Sequence, residues 1–144
     1  MGVSCGGSVR NLAAAAIAAA LFFGGMGTAF AGSWHSVPEL STSGAAFVGG
    51  SYMWEPRGQN RGGFHVRGRL SDTAKGDGHN VYVLTKVEGY SWNRFNGKQG
   101  RTVPLNKVVY DGAAQLTKES WIRMCRDRGS IHPDNCSVTK HYKR

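Results

Sequence analysis

The densest concentration of reactive side chains lies near the C-terminus, in CRDRGSIHPDNC, from Cys125 to Cys136. It carries two thiols, three basic groups (Arg126, Arg128 and His132) and two acids (Asp127 and Asp134), with Gly129 and Pro133 to turn the chain. This spacing favours a structural disulfide between Cys125 and Cys136. Closing a loop of that length stabilises by about 2–3 kcal/mol through the unfolded state, and a turn brings the two Cα atoms toward the ~5.5 Å that the bond needs. Two free thiols, or a metal pair with His132 and Asp134, are the alternatives. A CxxC redox pair is excluded by spacing, and a zinc site would need two more ligands supplied by the fold.

A second constellation is basic and aromatic. Arg67 and Arg69 share the polar face of one alternating run, and Lys86, Tyr90, Trp92 and Arg94 share a face of the next. If the two faces coincide, they form a stacking platform with cationic rims, suited to a polyanion or polysaccharide surface. The competing reading has Tyr90 and Trp92 filling a second layer while the charges point to water. Asp72, Asp77, Gly78 and His79 resemble a cation loop in composition only. The alternating oxygen ligands and closing Glu of a calcium loop are missing, and a polar turn accounts for them.

Catalytic signatures are absent: there is no GxSxG, no HExxH and no Gly-rich phosphate loop. No catalytic residue, metal site or cofactor is assigned on this basis. The enzymatic alternative is a small basic hydrolase directed at phosphodiesters, using His65, His79 or His132 with Glu88 and Arg67. A third reading is an inhibitor that presents the Cys125–Cys136 loop to a partner.

The elements that must position these groups read as strands. Phe64, Val66 and Leu70 alternate with His65, Arg67 and Arg69, with Gly68 inward as a bulge or close backbone approach. Val81, Val83, Thr85 and Val87 alternate with Tyr82, Leu84, Lys86 and Glu88, and the intervening turn signals predict a β-hairpin. Asn96-Gly97 marks a tight turn, and Pro104 places the run from Arg101 to Tyr110 at a sheet edge. Residues 113–122 fit helix or strand, with strand favoured from about Ser120. Residues 32–62 are Gly-, Ser- and Pro-rich and read as an irregular N-terminal arm pinned by Trp34, Tyr52 and Trp54. The expected architecture is an all-β antiparallel sandwich, or partly open barrel, over residues 63–144 with one disulfide.

The N-terminus has the layout of an export signal over residues 1–31. Arg10 precedes an apolar run from Leu12 to Phe23, and Ala29-Phe30-Ala31 is a cleavage pattern. The apolar run is too short to cross ~30 Å of hydrocarbon comfortably, so no membrane span is expected after cleavage. Cys5 lies before the apolar run, the wrong order for a lipoprotein, and leaves with the leader. Two cysteines then remain in an exported chain, the number one disulfide uses. The formal net charge of +9 falls by one with Arg10, a balance that favours polyanionic extracellular neighbours. No specific nucleic-acid motif stands out.

Two stretches, SDTAKGDGHNVYVLTKVEGY and WIRMCRDRGSIHPDNCS, together with the leader, resemble small exported β-sandwich proteins common in actinobacteria. Those carry a D-T-x-x-x-D-G hairpin and a Cys–Cys loop on the terminal strands. The resemblance covers roughly the last eighty residues and implies fold and export. It brings no catalytic residues, because the function of these proteins is unknown.

The leader reading gives the first prediction. Protein recovered from culture medium is expected to begin at Gly32. Intact-mass measurement checks this, and a chain retaining Met1 would overturn the cleavage assignment.

Overall fold

A computed structural model describes residues 1–2 and 32–144. The leader, its cleavage point and Cys5 lie outside the described residues. Among the described residues, no helix is long and apolar enough to cross a membrane.

The described residues form ten strands: β1 (His35–Val37), β2 (Leu40–Thr42), β3 (Ala45–Trp54), β4 (Phe64–Asp72), β5 (Val81–Val87), β6 (Asn93–Asn96), β7 (Thr102–Val109), β8 (Glu119–Arg126), β9 (Asn135–Cys136) and β10 (Lys140–Lys143). They build two antiparallel sheets. The first runs β1-β3-β4-β7, with β2 also on β3; the second runs β10-β8-β5-β6, with β9 also on β8. Phe47, Phe64, Val66 and Leu70 face Val81, Val83, Ile122 and Met124 across a common core.

The alternation expected for β4 and β5 is present. Phe64, Val66, Leu70, Val81, Val83, Thr85 and Val87 are buried, and Arg67 and Arg69 are exposed. The hairpin expectation is not met. β4 pairs with β3 and β7, whereas β5 pairs with β6 and β8. The connection after Asp72 therefore carries the chain from one sheet to the other, because two half-apolar strands bury their faces as well across a core as side by side. The tight hairpin lies one strand later, between β5 and β6, where Tyr90 N donates to Val87 O at 3.2 Å. Asn96-Gly97 also opens a crossing, since β7 returns to the first sheet.

Residues 32–62 do not form an irregular arm: β1, β2 and β3 lie within them and belong to the first sheet. β1 and β2 lie along one side of β3, and β4 along the other. β3 escapes pattern reading because its register shifts between Val48 and Ser51. Phe47, paired with Leu70, is inward before the bulge, and Tyr52, paired with Val66, is inward after it. The inward set thus changes from odd to even positions within one strand.

β7 is an edge strand and contains Pro104, as expected. Residues 113–118 are turn and β8 begins at Glu119. Cys125 and Cys136 are bonded across directly paired positions of β8 and β9, with Cα atoms 4.0 Å apart. The last strand closes the far end of the core through Tyr142, whose ring packs 4.3 Å from Tyr52 and 5.8 Å from Phe64.

Asp72 joins the two crossings at one end of the sandwich. Its carboxylate is almost fully buried and accepts from Ala74 N at 3.0 Å and from Gly100 N at 2.6 Å. One acceptor thus holds the β4–β5 connection and the β6–β7 connection. Replacing a buried acceptor with a donor facing an N–H leaves an unmet group that costs about 1–3 kcal/mol. Asp72→Asn is expected to lose stability in that range by chemical denaturation. A midpoint unchanged from wild type would show that neither crossing depends on this contact.

Candidate binding surfaces

The residues singled out for a single platform are divided between opposite outer faces. Arg67 and Arg69 stand on the outside of the first sheet; Lys86, Trp92 and Arg94 stand on the outside of the second. The platform fails because it assumed that β4 and β5 are neighbours. Tyr90 leaves the second face as well. It sits in the β5–β6 turn, and its hydroxyl donates to Asp111 Oδ1 at 3.1 Å.

On the second sheet, strand register lines up a row across the outer face. Lys86 on β5 is opposite Trp121 on β8, which is opposite His141 on β10. Trp92, just before β6, extends the row. The Lys86 ammonium lies 4.9 Å from the Trp121 ring centre and 5.2 Å from that of Trp92. The Arg123 guanidinium lies 4.7 Å over Trp92, and His141 stacks on Trp121 with centroids 4.5 Å apart. Cations and rings alternate, each side chain propping the next.

The neighbouring charges differ in their commitments. Arg94 lies over Tyr82 at 3.6 Å and donates to Asp127 at 2.6 Å. His141 meets Glu119 at 2.8 Å, and Lys143 is 3.7 Å from the same carboxylate. Among the described residues, Lys86 and Arg123 form no ion pair. They are the two uncompensated cations of this face. Since the faces of Trp92 and Trp121 are already covered by cations and imidazole, the surface offers charge first and flat stacking area second.

Trp92 also borders a cleft of about 560 Å³ that opens beside the β6 and β7 edges, lined by Tyr90, Phe95 and Tyr110 among others. The cleft adjoins the cationic row through this one shared ring. Trp121, Arg123 and His141 were not foreseen. For Trp121 and Arg123 the signal in the sequence is the alternation W-I-R-M from Trp121 to Met124, which fixes the two on one face but not against Lys86; His141 joins them only through the β8–β10 register.

The hydrolase assignment is partly redistributed. Glu88 accepts from the backbone N–H groups of Lys118 and Glu119 at 2.6 and 2.9 Å, so it caps the entry to β8. His79 lies in a turn whose Asp77 carboxylate accepts its backbone N–H at 2.7 Å, and His132 is exposed on the stapled loop. Among the described residues, the one buried acid beside a histidine is Glu55, unforeseen, with Oε1 2.6 Å from His65 Nδ1 and 2.9 Å from Asn60 Nδ2. The other ring nitrogen of His65 meets Asn106 Oδ1 at 2.5 Å. Among the described residues, no group of three His, Cys, Asp or Glu side chains is placed to hold a metal.

The stapled loop is ordered from within. Asp134 accepts from Arg128 N at 3.0 Å and from the Tyr82 hydroxyl, while Asp127 accepts from Gly129 N at 2.9 Å. The Asp127 carboxyl is held below the usual carboxylate range, first by Gly129 N–H and then by Arg94. Ile131 at the tip is 88% exposed. No protein-family model, curated protein or solved structure matches the chain. What is defined is a class: a disulfide-stapled, two-sheet antiparallel β protein with separate basic surfaces.

Burial raises the Tyr82 phenol from its ordinary value near 10 to about 12, with Asp134 adding to the shift, and burial likewise raises Tyr142 to about 12. Both groups stay protonated in the fold where the unfolded chain has begun to ionise. Their contribution to stability is therefore complete below pH ~10 and lost as pH rises toward 12. Tyrosinate absorbance is expected to show two of the five tyrosines titrating near 12. Asp134→Asn should lower one of them while burial holds it above 10; five indistinguishable titrations would refute the assignment.

Proposed function

We propose that the protein is an exported, non-catalytic binding protein for an anionic extracellular polymer, engaged on the outer face of the second sheet. The observation that carries this reading is the pairing of Lys86 and Arg123 with Trp92 and Trp121 but, among the described residues, with no carboxylate. Cations held in place by rings keep their charge available while losing little further side-chain freedom on binding. The net charge, +9 for the full sequence and +8 once Arg10 leaves with the leader, supports the same class of partner, by drawing polyanions to the molecule before the site orients them. Export is supported by the leader and by the Cys125–Cys136 disulfide, a bond that persists in oxidising compartments.

A hydrolase is the second reading, favoured by the buried Glu55 against His65. Its weakness is that both ring nitrogens are already engaged, which leaves no free base or acid without rearrangement. Turnover of pooled nucleic-acid and polysaccharide substrates by wild type, abolished in His65→Ala, would establish it.

For the binding reading, heparin serves as the probe. Lys86→Gln with Arg123→Gln is expected to elute at lower salt and to reduce the dependence of log K on log salt by about one per cation removed. Lys75→Gln with Lys98→Gln removes the same charge from exposed positions outside the face and should move elution less. Equal shifts from the two double variants would reduce the effect to net charge and refute a site.

A further inference from the structure

We propose that the groove on the outer face of the first sheet, between Arg67 and Arg69, is a binding site for a single tetrahedral oxyanion, the phosphate or sulfate ester group of a larger ligand. The groove holds about 360 Å³ and is lined by Gly49, Arg67, Gly68, Arg69, Leu105 and Asn106. It lies on the face opposite the Lys86–Arg123 surface, so it goes beyond the polymer-binding reading and stands or falls separately.

The floor is backbone, left open on the outer side at Gly49 and packed from below by Phe47. Phe47 is fully buried under this part of the sheet. A Cβ at Gly68 would come to 2.4 Å of its ring, and one at Gly50 to 2.6 Å of it. The core therefore demands glycine on its own side at both places, while the β3 bulge adds Gly49 with φ +60°, whose Cβ would stand on the outer side, 3.5 Å from Arg69 Nη2. A ligand can approach the backbone here more closely than over any side chain.

The walls present donors. Arg67 is fixed from two directions: its Nε donates to Ser51 Oγ at 3.0 Å, and its guanidinium lies 3.7 Å over the Trp34 ring. Those contacts leave its terminal nitrogens without a partner among the described residues. The Arg69 side chain forms no hydrogen bond or ion pair among the described residues. Asn106 is oriented by a relay: buried Glu55 holds His65 Nδ1, and His65 Nε2 takes Asn106 Oδ1. Where both ring nitrogens of His65 donate, one to Glu55 and one to Asn106 Oδ1, the end of Asn106 left for a ligand is its Nδ2 donor. No acid is among the lining residues, and Glu55, at the far end of the relay, is buried and bonded to His65 and Asn60. Two guanidinium groups and an amide around a glycine floor match an anion with several acceptor oxygens. The preset orientation of Arg67 and Asn106 lowers the cost of ordering them on binding.

The test is titration of the exported chain with inorganic phosphate and then sulfate, followed by amide and side-chain N–H resonances. Saturable shifts are expected at Gly49, Gly68, Arg67 Nε and Asn106 Nδ2. Arg69→Gln should weaken binding at least tenfold, and Asn106→Asp, which puts a carboxylate of the same shape in the groove, should abolish it. Lys86→Gln with Arg123→Gln should leave it intact, and acetate should bind more weakly than either tetrahedral ion. Comparison of phenyl phosphate with phenyl sulfate then tells which ester is the source. Shifts that never saturate, that persist in Arg69→Gln and Asn106→Asp, or that centre on Lys86 and Arg123 would overturn the site.

Discussion

A single buried carboxylate fixes how the two sheets are connected. Asp72 ends β4 and accepts N–H groups from both crossings at that end of the sandwich. Without such a tie, two polar connections of moderate length would have to order themselves against solvent, each at its own entropic cost. Shared between them, one acceptor sets where β5 starts and where β7 returns. Those two positions decide which residues reach each outer face. Arg126 and Asp77 form an ion pair at the same end, and the Cys125–Cys136 bond clamps β9 onto β8 nearby. Connections, clamp and loop scaffold are gathered at one end, and aromatic rings seal the other.

The core imposes a second constraint, and it is felt outside. Phe47 needs more room than an ordinary strand pair leaves, and obtains it by excluding side chains at Gly50 and Gly68. The bulge in β3 is the backbone counterpart of that demand. It lets Phe47 and Tyr52 both point inward although they are an odd number of residues apart. The outer surface pays no attention to hydrophobicity at this point, yet its shape is set by it. The bulge that accompanies this packing places Gly49 on the outer face, beside the two arginines that the alternation of β4 must place there.

How far the sequence could be read follows from what each signal encodes. Alternation reports which face a residue occupies, so the inward set of β4 and β5 and the outward set Arg67, Arg69, Lys86 and Arg94 were legible. It does not report which strand lies alongside, and β4 and β5 carry the same pattern whether paired or stacked. The platform that joined them was therefore divided between two faces. β3 was illegible for a different reason: Gly49-Gly50 looks like linker and the bulge reverses parity, so neither half reaches the length at which period two stands out. Pro104 and the two late cysteines were legible because each acts through local covalent geometry, a missing N–H in one case and a short loop in the other. Glu55 against His65 was out of reach, since a register between β3, β4 and the loop after Trp54 creates it.

Net charge by itself does not locate a binding surface, but the division of cations into engaged and free ones does. Arg94 and Arg126 have carboxylate partners, and Arg144 donates to the carbonyls of Glu55 and Gly62 while lying over Trp54. These charges are engaged in holding loops and the chain end in place. Lys86, Arg123 and Arg67 are positioned instead by aromatic rings, which orient a cation without neutralising it. Ion pairing converts a charge into structure, whereas a ring beneath it preserves the charge for an outside partner at some desolvation cost. A protein selected only for solubility would have no need of that distinction, because charges pointing freely into water serve equally well. The repeated use of tryptophan to hold unpaired cations, on both outer faces, is the argument for reading the basic character of this chain as a means of recognition.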